Sequence, residues 1–326
     1  MLLVTGGAGF IGSNVVASLN EAGRTDVVVN DFLGSAGKWR NLQHRQIADF
    51  VPPADLLRWL DGRKLDAVVH LGAVSDTTAT DADRVIDANF RRSLQLLDWC
   101  TQSGTRFIYA SSAATYGDGS AGFSDDWSLD ALRRLKPMNL YGWSKHLFDL
   151  ALVDRFAKRE KLPPQWAGLK FFNVFGPNEY HKGAMTSVLA KVFDGAKKGE
   201  PVRLFKSHRK GVADGEQKRD FIYVEDAVAV VQWLIEAPSA RGIFNVGTGQ
   251  ASSFRDMIEA MFAALHRAPS IEYVDMPAEL RDSYQYFTQA SVENLRRAGF
   301  AAPFTALKDA VARYVTRFLD RADRYR

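Results

Sequence analysis

The chain begins with Met1-Leu2-Leu3-Val4-Thr5-Gly6-Gly7-Ala8-Gly9-Phe10-Ile11-Gly12. Its first five residues are mostly apolar or β-branched and predict a strand, and the helical pattern of residues 13–21 follows the glycines. Glycine suits such a turn because the backbone must approach a pyrophosphate closely, while the helix N-terminus presents free N–H groups to the anion. The sequence therefore predicts a dinucleotide-binding unit at the start of the chain.

Strands and helices alternate from this unit to about residue 172. Further strands are predicted at residues 26–30, 47–50, 66–73, 107–110 and 169–172, and helices at residues 54–61, at 90–100 and from Tyr141 onward. Such alternation predicts an α/β protein with a Rossmann-type doubly wound parallel sheet, whose ligands bind beyond the carboxyl ends of the strands. The glycine turn, Asp31, Gly72-Ala73 and Ser111-Ser112 all follow predicted strands, so we expect them to lie together.

Asp31 follows the second predicted strand, where an acidic residue binds the adenosine ribose of a dinucleotide. A carboxylate there favours NAD, because it repels the 2′-phosphate of NADP, but Lys38 and Arg40 follow closely and can neutralise that phosphate. We expect Asp49, at the end of the third predicted strand, to meet the adenine. The choice between NADP and NAD stays open at this point.

Tyr141 and Lys145 are four residues apart in a helical pattern, so both side chains project from one helix face. Alone, such a pair is also compatible with two surface side chains. A phenol with its ordinary pKa of about 10 is a poor base at neutral pH, but the positive charges of Lys145 and of an oxidised nicotinamide lower that pKa. Ser112 can donate a hydrogen bond to the reacting oxygen. Together these residues predict a proton-transfer site beside the dinucleotide.

The composition is that of an ordinary globular protein, with 326 residues of which 46% are hydrophobic and 25% charged. The net charge of +4 is spread along the chain, which argues against nucleic-acid binding. Cys100 is the only cysteine, so we expect no disulfide, no metal site and a reducing, cytoplasmic location. The apolar runs are shorter than the ~20 residues that span a bilayer, so we expect no membrane association.

The regular alternation weakens after residue 173, where we expect a smaller α/β lobe that binds the substrate. Residues 206–218 are polar and contain glycine, which predicts a long loop. Residues 219–236 and 242–247 restore the α/β pattern, and residues 306–326 have the pattern of an amphipathic helix. The predicted division is an NAD(P)-binding domain of residues 1–173 plus about 217–247, and a substrate-binding domain of about 174–216 and 248–326.

Several motifs together resemble the extended short-chain dehydrogenase/reductase superfamily over nearly the whole chain: the glycine turn, Ser112, Tyr141-x-x-x-Lys145 and Arg219-Asp220-Phe221. Within its NAD-dependent epimerase/dehydratase group, four stretches closely resemble the ADP-L-glycero-D-manno-heptose 6-epimerase family. They are residues 110–117 (ASSAATYG), 172–177 (FNVFGP), 181–183 (HKG) and 284–290 (YQYFTQA). The His-Lys-Gly stretch and the Phe-Thr-Gln-Ala part of the last one are the most specific.

This resemblance implies a reversible redox epimerisation at C6″ of ADP-D-glycero-D-manno-heptose, in which tightly bound NADP takes a hydride and returns it to the opposite face. It also implies a supply of heptose for the lipopolysaccharide inner core, and a homo-oligomer, often a pentamer. Its implied catalytic residues are Tyr141, Lys145, Ser112 and, as a second proton carrier, Lys182. The implied substrate contacts are Ser112, Asn173, Ala184, Lys191, Phe205, Lys206, Ser207, His208, Arg219 and Tyr284. The expected cofactor contacts are Gly6, Gly9, Phe10, Ile11, Gly12, Asp31, Phe32, Lys38, Asp49, Leu71, Gly72, Ala73, Val74, Ser75, Asn89, Tyr141, Lys145, Val174 and Lys182.

The chain departs from that family at several contact positions. Lys191 stands where a histidine is usual, and Ala184 stands where a serine is usual. Phe32 and Pro53 replace an asparagine and a lysine expected around the 2′-phosphate, where only Lys38 matches. The loop of residues 206–218 is also longer than is usual. These departures leave NAD and a different nucleotide sugar as alternatives.

Other activities on the same fold leave different marks in the sequence. A sugar-nucleotide 4,6-dehydratase needs an acidic pair just after Ser112, where Ala113-Ala114 cannot supply acid–base chemistry. Another nucleoside-diphosphate-sugar epimerase or reductase, such as a UDP-hexose 4-epimerase, would share the motifs and differ only in pocket residues. A non-catalytic NAD(P)-sensing regulator commonly loses the tyrosine or the lysine, whereas Tyr141 and Lys145 are both present.

Overall fold

The computed structural model describes residues 1–281 and 284–326. Seven strands in these ranges form one large sheet, in which every pairing is parallel. The strands in chain order are β1 (Leu2–Thr5), β2 (Val27–Asn30), β3 (Asp49–Val51), β4 (Ala67–His70), β5 (Arg106–Ser112), β6 (Trp166–Phe171), β7 (Asn173–Phe175), β8 (Val202–Phe205), β9 (Lys218–Tyr223), β10 (Gly242–Val246), β11 (Ala251–Ser253) and β12 (Ile271–Val274).

Helices connect the parallel strands, as crossover connections require. In chain order they are α1 (Phe10–Glu21), α2 (Leu56–Leu60), α3 (Ala82–Ile86), α4 (Arg92–Ser103), α5 (Leu129–Arg133), α6 (Leu140–Ala157), α7 (Val188–Lys198), α8 (Val224–Glu236), α9 (Phe254–Ala264), α10 (Ala278–Arg281), α11 (Glu293–Arg297) and α12 (Leu307–Tyr314). Short 3₁₀ or π turns lie at Lys38–Leu42, Pro53–Asp55, Asp87–Arg91, Ala113–Tyr116, Tyr180–Met185 and Val315–Leu319.

The large sheet has the strand order β10-β6-β5-β4-β1-β2-β3, so the chain order reverses between β1 and β4. At such a switch point the carboxyl ends of the strands leave a crevice for a ligand. Thr5 at the end of β1 pairs with Asn30 of β2 and with His70 of β4. The segments that follow these three strands therefore leave the sheet side by side. The doubly wound parallel sheet predicted from the sequence is confirmed.

Both faces of the large sheet are covered, because alternate side chains of each strand point to opposite faces and both sets are apolar. Leu2 and Val4 of β1 belong to a buried cluster that includes α1 and α8 and reaches α9 and α12. Leu3, between them, belongs to a second cluster with α4 and α6. The buried sheet thus forms a rigid platform whose carboxyl edge carries the loops of the crevice.

The chain beyond β6 builds two small sheets. In one of them β9 lies between β7, which is parallel to it, and β11, which is antiparallel, and in the other β8 pairs with β12. β10 returns to the large sheet beside β6, and α8 packs in the same buried cluster as α1. Residues of about 217–247 were predicted to belong to the NAD(P)-binding domain. Within this segment β9 joins a small sheet, whereas β10 completes the large one.

The boundary predicted for the third strand was wrong. β3 begins at Asp49 and runs to Val51, rather than ending near Asp49. Val51 pairs with Asn30 and Asp49 with Val28, and Pro52 follows, whose missing N–H cannot extend the ladder. Asp49 therefore lies at the beginning of its strand, away from the carboxyl edge of the sheet.

The helix predicted to begin after Asn89 begins earlier. α3 starts at Ala82, where the carboxylate of Asp81 accepts the backbone N–H of Arg84. The π turn Asp87–Arg91 then joins α3 to α4 without a break. A π turn inserts one extra residue into a helix and is frequent at functional sites, and this one contains Asn89.

The C-terminal helical segment is shorter than predicted. The π turn after α12 ends at Leu319. Of the residues that follow, Arg324 pairs with Asp194 of α7, and Arg326 lies against α1. The Arg326 guanidinium pairs with Glu21 at 2.7 Å, and the Arg326 N–H donates to the side chain of Asn178. Part of the basic C-terminus is therefore used in contacts within the fold.

Candidate active site

The glycine turn between β1 and α1 forms a wall of the cavity at the switch point. Gly6 has a φ of +67°, and a Cβ there would come within 2.6 Å of the Gly72 nitrogen. A Cβ at Gly12 would collide with the Gly6 carbonyl oxygen. α1 begins at Gly9 without a side-chain cap, so its first N–H groups remain available to an anion. This cradle fits the pyrophosphate of a dinucleotide, and the predicted residues that line it are Gly6, Gly9, Phe10, Ile11 and Gly12.

Asp31 and Lys38 form an ion pair at the end of β2. Asp31 is only 8% exposed, and its Oδ1 lies 2.5 Å from the Lys38 Nζ. Its Oδ2 accepts the backbone N–H of Ala8 at 2.9 Å, which ties the ion pair to the glycine turn. Phe32 is exposed and lines the same side of the cavity. The ammonium group of Lys38 therefore offsets the charge with which Asp31 would repel an added phosphate.

The segment after β4 forms the opposite wall, and the predicted residues that line it are Leu71, Gly72, Ala73, Val74 and Ser75. Asn89 lies behind this wall, fully buried. Its amide accepts the Val74 N–H at 2.8 Å and donates to the Val74 carbonyl at 2.9 Å and to the Ser144 hydroxyl at 2.9 Å. Asn89 thus shapes the wall from behind rather than lining it.

Asp49 is not among the residues that line the cavity. It is exposed at the beginning of β3, and its Oδ2 accepts the indole N–H of Trp59 at 2.9 Å. The expected contact with the adenine rested on the wrong strand boundary, because only residues at the carboxyl end of a strand reach this crevice.

Ser112, Tyr141 and Lys145 line the same cavity. The Ser112 hydroxyl accepts the Ala114 N–H at 3.1 Å, and Lys145 is only 3% exposed. Burial raises the pKa of Tyr141, and the nearby hydroxyl of Ser112 opposes that shift. Burial lowers the pKa of Lys145 to about 8, although the carboxylate of Asp149 opposes that change. The phenol is therefore protonated at neutral pH, and the ammonium is close to the pH at which it loses its charge.

The start of α6 explains how Tyr141 reaches Ser112. The side chain of Asn139 caps the helix by accepting the Gly142 N–H at 2.8 Å. A Cβ at Gly142 would lie 2.6 Å from the Ala114 carbonyl oxygen, so glycine allows the first turn of α6 to pack on the turn that follows Ser112. Asn139 and Gly142 were absent from the predicted site, although an asparagine before a helical pattern is a known capping signal.

Lys182 lies where this cavity meets a second one of about 600 Å³. Its Nζ is 4.8 Å from the centre of the Phe10 ring, in the first turn of α1. Burial lowers the pKa of Lys182; Glu179 opposes this shift and Lys191 adds to it. The other residues that line both cavities are Phe172, Val174 and Met185. The two cavities are therefore continuous at Lys182.

Five of the predicted substrate residues line or face the second cavity away from the dinucleotide walls. Asn173, Lys191, Phe205 and Tyr284 line it. Arg219 does not line it but faces two residues that do, because its guanidinium carbon lies 5.2 Å from the centre of the Tyr284 ring and 5.7 Å from that of Phe254. Tyr284 lies between the cavity and the Arg219 guanidinium, so residues that are far apart in the sequence meet at this surface.

The structure does not bring the remaining predicted substrate residues into this cavity. Ala184 is exposed, and its carbonyl accepts the ammonium of the neighbouring Lys191 at 2.6 Å. Lys206 pairs with Asp275, and the Ser207 N–H donates to Asp214 at 2.7 Å. His208 lines a separate surface cavity with Arg209, Arg281, Tyr284 and Tyr286. Lys206, Ser207 and His208 are therefore not among the residues that line the second cavity.

Arg219 is 7% exposed, and burial lowers its pKa. No carboxylate among the described residues is ion-paired with it, and one guanidinium nitrogen donates to the Lys218 carbonyl. Its neighbour Asp220 fixes β9 in place by accepting the N–H groups of Thr248, Gly249 and Ala290. A buried guanidinium of this kind suits a phosphate, to which its planar fork can donate two parallel hydrogen bonds.

Several residues outside the predicted set also line these cavities, among them His181, Phe172 and Met185. Burial lowers the pKa of His181 to about 4, so the ring is neutral, and its Nδ1 lies 3.1 Å from the Asn41 amide. The His-Lys-Gly stretch already singled out this region. Met185 carries no such signal, because only the turn Tyr180–Met185 brings it to the junction.

No helix within the described ranges is long and apolar enough to cross a membrane. In the same part of the chain, no group of three or more histidine, cysteine, aspartate or glutamate side chains is arranged to hold a metal ion. The residues that surround the two cavities therefore offer glycines, hydroxyls, aromatic rings and cations.

The model of the NAD dependent epimerase/dehydratase family matches residues 2–247, and the chain belongs to this family. A relative from Nitratidesulfovibrio vulgaris (strain DP4), named ADP-L-glycero-D-manno-heptose-6-epimerase, is 50% identical over 327 residues that cover 99% of each chain. The crystal structure of Helicobacter pylori ADP-L-glycero-D-manno-heptose-6-epimerase has a TM-score of 0.81 and 29% identity, with 97% of this chain and 95% of that one covered. The family resemblance found in the motifs is confirmed.

The fold is also similar to that of UDP-glucose 4-epimerase from Thermus thermophilus, whose structure is a complex with NAD. The TM-score is 0.74 at 26% identity, with 98% of this chain and 99% of that chain covered. The glycine cradle, the Asp31–Lys38 pair and the wall after β4 fit a nicotinamide dinucleotide of the kind this family uses.

Proposed function

We propose that this protein inverts C6″ of ADP-D-glycero-D-manno-heptose to give ADP-L-glycero-D-manno-heptose, by transient oxidation and re-reduction. The observation that carries the proposal is the junction at Lys182, between the cavity of Tyr141 and the cavity that Arg219 faces. Inversion through a ketone is helped by a proton carrier on each side of the reacting carbon. Tyr141 and Lys182 are two such groups, and they come from different elements.

In this proposal the bound dinucleotide supplies the hydride acceptor and donor. Tyr141 takes the hydroxyl proton during oxidation once the positive charges of Lys145 and of the oxidised nicotinamide have favoured its phenolate form, and Ser112, which lines the same cavity, orients the same oxygen. Lys145 provides positive charge that favours the deprotonated phenol, and it has donors for the ribose hydroxyls of the nicotinamide. Lys182 gives a proton to the substrate oxygen when the hydride returns to the opposite face. Its lowered pKa suits proton transfer near neutral pH better than that of an exposed lysine.

The second cavity supports a nucleoside-diphosphate sugar as the substrate. We assign the diphosphate to Arg219, whose buried guanidinium has no ion-pair partner among the described carboxylates. Phe205 and Tyr284 pack edge to face at 6.3 Å beside it and offer aromatic surface. Asn173, close to the junction, is assigned a hydrogen bond to the sugar. Lys191 adds a second cation to the same cavity.

We propose NADP rather than NAD as the cofactor. Lys38 offsets the charge of Asp31, and the same side of the cavity is lined by Arg84 and Arg92 as well as by Asp76 and Asp87. A 2′-phosphate beside Asp31 would therefore meet a carboxylate that is already paired with an ammonium group. This pairing supports NADP even though Phe32 and Pro53 replace two polar residues of the resembling family.

The direct test is the identity of the ligand and the substrate. Mass spectrometry of ligands released from the purified protein should find NADP. Turnover should be measured in parallel on ADP-D-glycero-D-manno-heptose and on UDP-glucose, because a UDP-hexose 4-epimerase would share this fold and proton-transfer site. Epimerisation of the ADP-heptose alone is expected. Turnover of UDP-glucose without turnover of the ADP-heptose would refute the proposed substrate.

Tyr141→Phe provides the catalytic control for the same assay. The ring still packs, but the proton-transfer group is gone, so the rate should fall at least about 100-fold. A variant that keeps the wild-type rate would remove Tyr141 from the mechanism and leave the substrate assignment standing.

The wider setting of the protein is also part of this proposal. We propose that it acts in the cytoplasm, that its product supplies the lipopolysaccharide inner core, and that it is a homo-oligomer, by family resemblance a pentamer. The single cysteine is consistent with a reducing compartment. The division into residues 1–173 plus about 217–247 and residues 174–216 plus 248–326 remains a prediction. Analytical ultracentrifugation of the purified protein would measure the oligomeric state.

A further inference from the structure

Asp149 and Lys170 form a buried pair of opposite charges directly behind the proton-transfer site. Asp149 lies on α6, one turn after Lys145, and Lys170 lies on β6. Their side chains are 0% and 2% exposed, and the Lys170 Nζ lies 3.7 Å from the Asp149 Oδ2. Removing two charges from water is costly, and apolar side chains of similar volume are often at least as stable in such a place. Stability alone therefore does not account for this pair.

The hydrogen bonds of the pair lead to Ser112. The Asp149 carboxylate accepts the hydroxyl of Ser111, the residue before Ser112, at 2.7 Å. The Lys170 ammonium donates to the Thr115 hydroxyl at 2.9 Å, and that hydroxyl donates to the Ser112 carbonyl at 2.8 Å. Both the end of β5 and the turn after it are therefore fastened to the pair. A shift of either partner would move the Ser112 hydroxyl relative to Tyr141.

Asp149 also acts on Lys145 through its charge. Residues four apart share a helix face, so the carboxylate lies one turn below the ammonium. Burial lowers the pKa of Lys145 to about 8, and Asp149 opposes that change. Without the carboxylate, Lys145 would lose its proton at a still lower pH, within the range in which the enzyme must work.

We propose that Asp149, with Lys170 as its counterion, is a positioning residue that keeps Lys145 charged at neutral pH and fixes Ser112. The inference rests on the proposed function for the roles of Lys145 and Ser112. Lys170 is in turn influenced by Asp125, which lies on the loop before α5. The titratable groups around Asp149 are Tyr109 from β5, Lys170 from β6, Tyr116 from the following turn, and Tyr141, Lys145 and His146 from α6.

Of those six groups, the two lysines are the ones whose charged form Asp149 favours, against the effect of burial. Burial lowers the pKa of His146, which keeps its ring neutral. Burial also raises the pKa values of Tyr109 and Tyr116, which keeps both phenols protonated. The Asp149 carboxylate therefore interacts with the ammonium groups of Lys145 and Lys170. Removal of one of these three groups must change the protonation of the other two.

The primary test is the pH dependence of turnover in Asp149→Asn. The amide keeps the shape of the carboxylate and can still accept the Ser111 hydroxyl, so the change is mainly electrostatic. The basic limb of the kcat profile should move down by about one pH unit, with KM nearly unchanged at pH below that limb. Lys170→Met should move the limb upward, because Asp149 then acts on Lys145 without its counterion. Unchanged basic limbs in both variants would overturn the inference.

The double variant Asp149→Asn/Lys170→Met guards against single variants that fail to fold. It removes both members of the Asp149–Lys170 pair, so neither is left without the other; it should be at least as stable as either single variant, and its basic limb should match that of Asp149→Asn. A double variant with the wild-type profile would show that the pair only fills space.

A second measurement, of cofactor affinity, does not require the nucleotide-sugar substrate. The affinity of the stripped protein for NADP⁺ should be measured by calorimetry across the same pH range, because Lys145 is the proposed donor to the nicotinamide ribose. The pH at which affinity falls should be lower in Asp149→Asn than in the wild type. If the wild type fails to turn over the ADP-heptose, the proposed function fails, while this shift still tests the inference; an unchanged binding profile would then overturn it.

Discussion

At Lys182 one ammonium group faces two cavities, and its surroundings determine which chemistry it can perform. Burial and the charge of Lys191 favour the neutral amine, while Glu179 and the face of the Phe10 ring favour the charged form. Because its pKa is lowered, Lys182 gives up a proton more readily than an exposed lysine does, which suits a proton carrier. Its place between the cavities makes it a candidate for the reacting oxygen rather than for the dinucleotide.

Lys182→Met should lower kcat at least about 100-fold, because it removes a proton carrier but keeps the aliphatic chain. The affinity for NADP⁺ should stay within about threefold of the wild type, since the phosphate cradle is made by other residues. Steady-state kinetics and calorimetry measure the two quantities. Lys198→Met, an exposed lysine at the end of α7, is the matched control and should behave as the wild type. Loss of NADP⁺ affinity with kcat preserved would instead give Lys182 a cofactor role.

Lys38→Ala tests the choice of cofactor at the scale of one charge. The variant leaves Asp31 without the partner at 2.5 Å, so the carboxylate would repel a 2′-phosphate. The affinity for NADP⁺ should fall at least about tenfold, while that for NAD⁺ should change little, because the ribose hydroxyl can still donate to Asp31. Binding of both dinucleotides by calorimetry at low and high salt measures the difference. Equal losses for NADP⁺ and NAD⁺ would argue against a phosphate at this position.

Local patterns in the sequence indicated the predicted site residues that do line the cavity at the switch point. Asp31 directly follows β2, Ser112 is the last residue of β5, and Tyr141 and Lys145 show helical spacing. Asp149 lies on the same helix, but its position in the sequence does not predict its contact with Lys170 of β6. Such a contact depends on how α6 packs on the sheet, which is a tertiary property.

At the scale of the element, the first turn of α6 requires glycine at position 142. In Gly142→Ala the new Cβ would meet the Ala114 carbonyl oxygen at 2.6 Å, and that oxygen belongs to backbone that cannot move without displacing Ser112. We expect a loss of about 1–3 kcal/mol in the free energy of unfolding and a lower kcat. Urea unfolding and steady-state kinetics measure the two effects.

Gly195→Ala is the matched control for this prediction. Gly195 is also helical, but a Cβ there would meet the carboxylate end of Glu200, a flexible side chain that can turn aside. The better helix propensity of alanine should then raise the free energy of unfolding by up to about 1 kcal/mol, with kcat unchanged. A similar loss of activity in both variants would contradict the argument that the contact with the Ser112 turn matters.

Element boundaries were less predictable than element order. The third strand was predicted to end where it begins, because residues 47–50 and 49–51 have similar hydrophobic patterns and only the pairing of Val51 with Asn30 fixes the register. The start of α3 at Ala82 was missed, since its polar residues show little helical periodicity. The error in the third strand carried over to the site, where Asp49 was expected at the wrong edge of the sheet.

At the scale of the whole molecule, the large sheet was predictable and the small ones were not. Alternating strands and helices leave one right-handed way of winding a parallel sheet, so β1 to β6 follow from local patterns. β8 pairs with β12, and β9 pairs with both β7 and β11, across long and unequal separations in sequence. These strands are three to six residues long. Which of them pair depends on how the chain packs around the second cavity.

Glu179 connects this second region to the junction between the cavities. Its carboxylate is fully buried, with Oε2 accepting the Ser187 N–H at 2.7 Å and Oε1 accepting the hydroxyls of Ser187 at 2.6 Å and Tyr314 at 3.1 Å. The turn that carries Lys182 is therefore fastened to the start of α7 and to α12. The position of Lys182 relative to Tyr141 depends on contacts that span the chain.

Glu179→Gln should lower the free energy of unfolding by about 2–4 kcal/mol, because a buried carboxylate that accepts four hydrogen bonds, the fourth from the Gly176 N–H at 3.4 Å, is replaced by an amide that must donate with one end. It should also lower kcat while NADP⁺ affinity is kept, since Lys182 is displaced and the glycine cradle is not. Tyr314→Phe is the control: it removes one of the four donors, should cost about 1 kcal/mol, and should leave kcat near that of the wild type. Urea unfolding, kinetics and calorimetry on both variants separate the effects. Full activity in Glu179→Gln at a reduced stability would mean that the contacts of Glu179 support the fold without positioning Lys182.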